Sequence, residues 1–68
     1  MPEATPPPEV QPVIIGAGTW IGHGAVILPG ASIGRGVVVA AGSVVRGGEI
    51  PDHCVVAGVP AKIVRRLL

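Results

Sequence analysis

From Ile15 onward, the apolar and small residues of this chain recur every six positions. Five consecutive hexads share one register: IGAGTW, IGHGAV, ILPGAS, IGRGVV and VAAGSV. The first position is always a β-branched aliphatic residue, the fourth is always glycine, and the fifth is small or β-branched. A repeat this regular is typical of a solenoid, in which each unit packs only on its neighbours.

This pattern favours extended structure over a helix. Six helical steps of about 100° each turn the chain by about 240°, so the aliphatic residues would form no single apolar face. In a strand, residues two apart share a face, and the fifth position lies two residues before the next first position. Since glycine permits sharp corners, the pattern predicts short strands that coil around an apolar core. The handedness and the number of hexads in each coil stay open.

The register slips after Val45. The stretch VRGGE has only five residues, and a new frame opens at Ile50 with IPDHCV and VAGVPA. We therefore predict a glycine-rich loop at residues 46–49 within a repeat domain at 13–68. The tail KIVRRLL is expected to form a final strand or a short helix. Residues 1–12 are rich in proline and are expected to form a polyproline-like segment.

The composition favours self-association. The chain has 68 residues, of which 49% are hydrophobic and 13% charged. A domain this small buries only about 60% of its unfolded surface and usually needs a disulfide, a metal or oligomerisation. Cys54 is the single cysteine, and two histidines with one cysteine make a poor zinc set. We therefore expect no metal and predict an oligomer.

Charge and hydropathy argue against two classes of partner. The net charge is +1 and Trp20 is the one aromatic residue, so the stacking platforms of single-strand binders are missing and no nucleic-acid partner is expected. Glycines and Pro29 break the apolar stretches well before the ~18–20 residues of a membrane span. The first residues lack the basic start and apolar core of a secretory signal, so we expect a cytoplasmic protein with no membrane partner.

Three stretches resemble a known family: WIGHGAVILPGASIG, AAGSVV and IPDHCVVAGVPAKIVR. They are similar to the C-terminal part of the hexapeptide-repeat acyltransferases, and of the maltose- and galactoside-type O-acetyltransferases in particular. The likeness covers roughly residues 12–66, and AGVPAK is its most specific part. It implies an all-β, left-handed parallel β-helix that forms a homotrimer. It also implies acetyl-CoA as acyl donor, bound in a groove between neighbouring helices, and a sugar or other small-molecule hydroxyl as acceptor.

The resemblance also implies roles for single residues. Trp20 matches a tryptophan near the thioester end and the acyl pocket, although it could equally cover a subunit seam. Ala41 and Ser43 match the hexad that lies along pantetheine, and corner geometry alone would also explain both. Lys62 and Arg65 match basic positions near the CoA phosphates, which such groups commonly bind; a solvated basic surface is the alternative.

Two departures from the family pattern concern its chemistry. Arg46 stands in a changed loop where the family commonly has Thr-Lys, and it is expected to replace that lysine in CoA binding. The family's catalytic histidine lies upstream of the tryptophan, whereas no histidine precedes Trp20 here. His23 occupies a variable hexad position and is only a weak candidate for the base. We expect it, like His53, to be a surface residue.

Two functions are consistent with these residues. The first is the C-terminal part of a CoA-dependent acyltransferase, with much of the acyl-CoA donor site and no recognisable catalytic histidine. The second is a non-enzymatic, self-associating trimeric β-helix module or a gene remnant. A start of the true reading frame upstream of Met1 is also consistent with the resemblance. Ligand binding and turnover distinguish the first two.

Overall fold

The structure is a computed structural model that describes residues 11–68. The proline-rich segment predicted at 1–12 lies almost entirely outside the described residues. Residues 11–68 form short strands and no helix. This part of the chain therefore contains no helix that is long and apolar enough to cross a membrane. The strands are β1 (Ile14–Ile15), β2 (Trp20–Ile21), β3 (Val26–Ile27), β4 (Ala31–Ile33), β5 (Val38–Val39), β6 (Val44–Val45), β7 (Gly48–Ile50), β8 (Cys54–Gly58) and β9 (Ala61–Arg66).

The first eight strands stack in parallel on three faces of a coil. One face consists of β1, β4 and β7, the second of β2, β5 and β8, and the third of β3 and β6. Ile15 pairs with Ile33, and Trp20 pairs with Val38, in each case 18 residues further along the chain. One coil therefore contains three hexads, which the sequence pattern had left open.

The next coil is one residue shorter. Ile33 pairs with Ile50, a step of 17 residues, so the missing residue falls in the five-residue stretch where the sequence register slips. Strand β7 begins at Gly48, within the loop predicted at 46–49, and the interruption is confined to Arg46 and Gly47. Gly47 fits closely beneath the coil above, since a Cβ there would lie 3.1 Å from the carbonyl oxygen of Pro29.

The core lies on the axis of the coil. Residues at the first and fifth hexad positions face inward, as the pattern predicted, and the buried ones are Ala31, Ile33, Val37, Val39, Ser43, Val45, Cys54 and Val56. The first coil differs, because no described strand stacks above it. Ile15 is 47% exposed, whereas its partner Ile33 in the second coil is 1% exposed.

An antiparallel hairpin closes the other end. Strand β9 turns back on β8 and extends the second face to the order β2-β5-β8-β9. Val59 and Pro60 form the turn, and Ala61 packs against the core. The tail predicted as a strand or a short helix is thus a strand.

Candidate functional site

A row of outward residues crosses the four-stranded face. Trp20 pairs with Val38, Val38 with Val55, and Val55 with Arg65. Val38 lies between the inward-facing Val37 and Val39, and side chains alternate along a strand, so the row lies on the outer surface. Three interstrand steps of about 4.8 Å separate its ends by about 14 Å. We call it the Trp20–Arg65 row.

Small residues lie beside this row. Gly22, Ala40 and Ala57 each follow the inward residue of their strand, and Ala57 pairs with Lys62 on β9. Gly22 packs so closely on the next coil that a Cβ there would lie 2.5 Å from the amide nitrogen of Ala41. Gly22 is thus buried between coils, and the small residues Ala40 and Ala57 lie beside the Trp20–Arg65 row. Lys62 and Arg65 make one end of it basic.

The opposite end is formed by the first coil. The Trp20 side chain is 62% exposed there. His23 is exposed on the next corner, as predicted, and its carbonyl oxygen accepts a hydrogen bond of 3.0 Å from the amide of Gly42. Ala41, which was predicted to lie along pantetheine, is exposed on the same edge one coil further on. An aromatic ring and an imidazole thus stand at the end away from the basic residues.

Ser43 lies inside the coil. Its side chain is 1% exposed, and its hydroxyl accepts a hydrogen bond of 3.2 Å from the amide of Gly58. Its own amide donates to the carbonyl of Ala40, and its carbonyl accepts from the amide of Val26. The polar groups of this predicted binding residue are therefore all engaged within the protein.

Arg46 and Lys62 meet at a cleft near the closing hairpin. The cleft has a volume of about 170 Å³ and is lined by residues 45–50 on one side and 60–62 on the other. Arg46 and Lys62 are both exposed residues of its lining, and so is the acidic Glu49. The structure thus places two of the predicted CoA-binding cations along one cleft, with one carboxylate beside them.

His53 differs from the expected surface residue. It is half-buried and has a φ of 55°, at the corner position that glycine occupies in the coils above. Its amide donates to the carbonyl of Arg35, and its carbonyl accepts from the amide of Leu67, both at 2.8 Å. The sequence offered one signal for this role, because His53 stands at the fourth position of its hexad. Residues 11–68 contain no cluster of three or more metal-ligating side chains.

Comparisons with known proteins agree with the repeat fold. A family model described as bacterial transferase hexapeptide (six repeats) matches residues 12–47. The chain is 57% identical over 61 residues to a 2,3,4,5-tetrahydropyridine-2,6-dicarboxylate N-acetyltransferase of Lacticaseibacillus casei, covering 90% of this chain and 26% of that protein.

Solved structures of several acetyltransferases are similar over 85% of this chain. A hexapeptide-repeat acetyltransferase of Vibrio cholerae, in complex with acetyl-CoA, has a TM-score of 0.80 and 42% identity, with 31% of its chain covered. A maltose O-acetyltransferase of Clostridium difficile has a TM-score of 0.80 and 43% identity, with 30% covered. The predicted left-handed parallel β-helix is confirmed. The chain spans less than a third of the length of the curated relatives it matches.

Proposed function

Because this chain belongs to the family of bacterial transferases with hexapeptide repeats, we propose that it forms the acyl-CoA-binding part of a CoA-dependent acyltransferase. The acyl group is acetyl, and the acceptor is a hydroxyl of a sugar or another small molecule. The observation that carries the proposal is the Trp20–Arg65 row, which is apolar along its length and basic at one end. In a trimer this row would form one wall of a groove whose other wall is a neighbouring coil.

The groove suits the shape and charge of an acyl-CoA. The pantetheine arm is extended and uncharged, and it would lie along the row, beside Ala40 and Ala57. Lys62 and Arg65 would bind the phosphates through charge-assisted hydrogen bonds. Such an orientation puts the thioester at the other end, about 14 Å away, beside Trp20.

The main role of these residues would be to position the thioester of the acyl donor. A thioester is already activated, so holding it at a fixed place against the acceptor supplies a large share of the rate enhancement. The acceptor hydroxyl also needs a general base, for which histidine has a suitable pKa. His23 is the histidine at the Trp20 end, and it is a weak candidate because its hexad position varies in the family. This chain therefore supplies the binding site for the acyl-CoA donor, and no residue is assigned as the general base.

The proposal includes a homotrimer in the cytoplasm. Large apolar side chains stay exposed on two faces of a single chain, among them Trp20 at 62% and Val26 at 46%. Association of three chains would bury such surface and would place each groove next to a neighbouring coil. Light scattering on the purified chain should give three times the mass of one chain, and a monomer would contradict this part.

Calorimetric titration with CoA tests the donor site. We expect saturable binding, and we expect the double variant Lys62→Ala/Arg65→Ala to bind at least tenfold more weakly. Arg35→Ala is the matched control, because Arg35 is an exposed arginine on the corner between β4 and β5, and it should bind as the parent does. A folded parent chain that binds no CoA at millimolar concentration would contradict the proposal and would favour the non-enzymatic module. Acetyl transfer to a panel of sugars tests turnover separately.

A further inference from the structure

We propose that Ser43 is a positioning residue whose buried hydroxyl sets the spacing between the two walls of the cleft that holds Arg46 and Lys62. The inference rests on the proposed function, because the spacing matters only when those two cations share a phosphate-bearing ligand. Ser43 itself does not touch that ligand, since its side chain is 1% exposed.

The hydrogen bond between Gly58 and Ser43 joins the two segments that lead into the walls of the cleft. Ser43 comes three residues before Arg46, which follows β6 on the first wall. Gly58, the donor to the Ser43 hydroxyl at 3.2 Å, comes four residues before Lys62 on the second wall. The two segments are 15 residues apart in sequence. A single side chain thus connects the segment that carries Arg46 to the hairpin that carries Lys62.

Packing alone does not require a hydroxyl at this position. Ser43 is the fifth residue of its hexad, and the same position holds Ala25, Ala31 and Val37 in other hexads. Those apolar side chains fill the interior without a polar partner. The hydroxyl is needed at Ser43 because Gly58 ends β8 with a φ of 105°, where the chain leaves the coil to form the hairpin. Its amide there donates to Ser43.

Removal of the hydroxyl should loosen the hairpin and not the groove as a whole. Ser43→Ala removes the acceptor of the Gly58 amide. Because Gly58 is an exposed residue, the loss is that of one net hydrogen bond, usually a factor of about two to ten in an equilibrium. Lys62 and Arg65 lie on the loosened hairpin, whereas Trp20 and Val38 lie on other strands. Binding of CoA should therefore weaken, while binding of pantetheine, which lacks the nucleotide phosphates, should not change.

The experiment compares four forms of the full chain by calorimetric titration with CoA and with pantetheine. We expect Ser43→Ala to weaken CoA binding about fivefold and to leave pantetheine binding unchanged. Ser43→Thr should bind CoA as the parent does, because it keeps the hydroxyl and threonine already occupies the fifth position at Thr19. Val37→Ala is the stability control: it removes a fully buried side chain with no bond to the hairpin, and CoA affinity should be retained.

Amide hydrogen exchange tests whether Ser43 holds the hairpin independently of CoA binding. In the absence of any ligand, Ser43→Ala should speed exchange at Gly58 relative to Val37→Ala. Three results would each overturn the positioning role of Ser43. The first two are equal exchange at Gly58, or equal loss of CoA affinity, in Ser43→Ala and Val37→Ala. The third is an equal loss of affinity for pantetheine and for CoA in Ser43→Ala. A parent chain that binds no CoA overturns the proposed function and the ligand-binding role together. The exchange rates then still show whether Ser43 tethers the hairpin.

Discussion

The imidazole of His53 lies directly against Gly36 of the coil above. A Cβ on Gly36 would lie 2.7 Å from Nδ1 of His53, and both residues have a positive φ, of 60° and 55° respectively. They occupy the same corner in successive coils, since the amide of His53 donates to the carbonyl of Arg35 just before Gly36. His53 is therefore part of the corner stack and not a freely solvated histidine.

Substitution of Gly36 should reveal this contact. Gly36→Ala puts an L side chain into the left-handed region, which costs about 1–2 kcal/mol, and also forces the His53 ring to move. Gly42→Ala is the matched control, because Gly42 has a φ of 73° and a Cβ there would meet nothing within 4 Å. We expect both variants to unfold at lower urea concentration than the parent, and Gly36→Ala at the lowest. Equal destabilisation would show that the ring moves away without cost.

The hydroxyl of Thr19 is expected to contribute to stability through two hydrogen bonds. It donates to the carbonyl of Gly34 at 2.8 Å and accepts from the amide of Val37 at 3.2 Å. Thr19→Val keeps the shape and leaves both backbone groups without this partner, so we expect a loss of about 1–3 kcal/mol in unfolding free energy. Thr19→Ser keeps the hydroxyl and should lose less. If the serine variant were the less stable of the two, the methyl group and not the hydrogen bonds would dominate.

Much of this fold is predictable from the sequence because the hexad pattern acts locally. The fifth and first positions face inward wherever a coil lies on both sides, as Val37 and Val39 do. The five-residue stretch after Val44 likewise marks where the coil shortens. The number of hexads in a coil was not predictable, because any multiple of six keeps the pattern. It depends on the corner angles, and pairings such as that of Ile15 with Ile33 show that it is three.

The site was less predictable, since its contacts join distant segments. The fifth hexad position predicted that Ser43 faces inward, as it does. Its bond to Gly58 could not be predicted, because that bond exists only where the hairpin leaves the coil. His53 was missed for a different reason. A non-glycine residue with positive φ is uncommon, and its place at the fourth position of the hexad that opens at Ile50 was its only signal.

Substitution of Trp20 should weaken the binding of ligands that carry the pantetheine arm and of no others. Its side chain is 62% exposed, so Trp20→Ala should fold normally and should weaken pantetheine and acetyl-CoA binding about tenfold, the equivalent of ~1.4 kcal/mol. Adenosine 3′,5′-bisphosphate, which lacks the pantetheine arm, should bind as before. Val26→Ala removes an exposed apolar side chain from another face and is the control. Equal weakening of all three ligands by Trp20→Ala would indicate that Trp20 holds a subunit seam instead.

Glu49 should oppose the binding of phosphates. It lines the same cleft as Arg46 and Lys62, and a unit charge about 8 Å from a phosphate in water costs about 0.5 kcal/mol. Glu49→Gln removes that repulsion, so CoA should bind two- to threefold more tightly at low ionic strength. The gain should vanish near 1 M salt, where the screening length is about 3 Å. Asp52→Asn removes an exposed carboxylate beside Arg35, on another corner, and should change CoA affinity little. Weaker binding by Glu49→Gln would mean that Glu49 orients Arg46 or Lys62 toward the ligand.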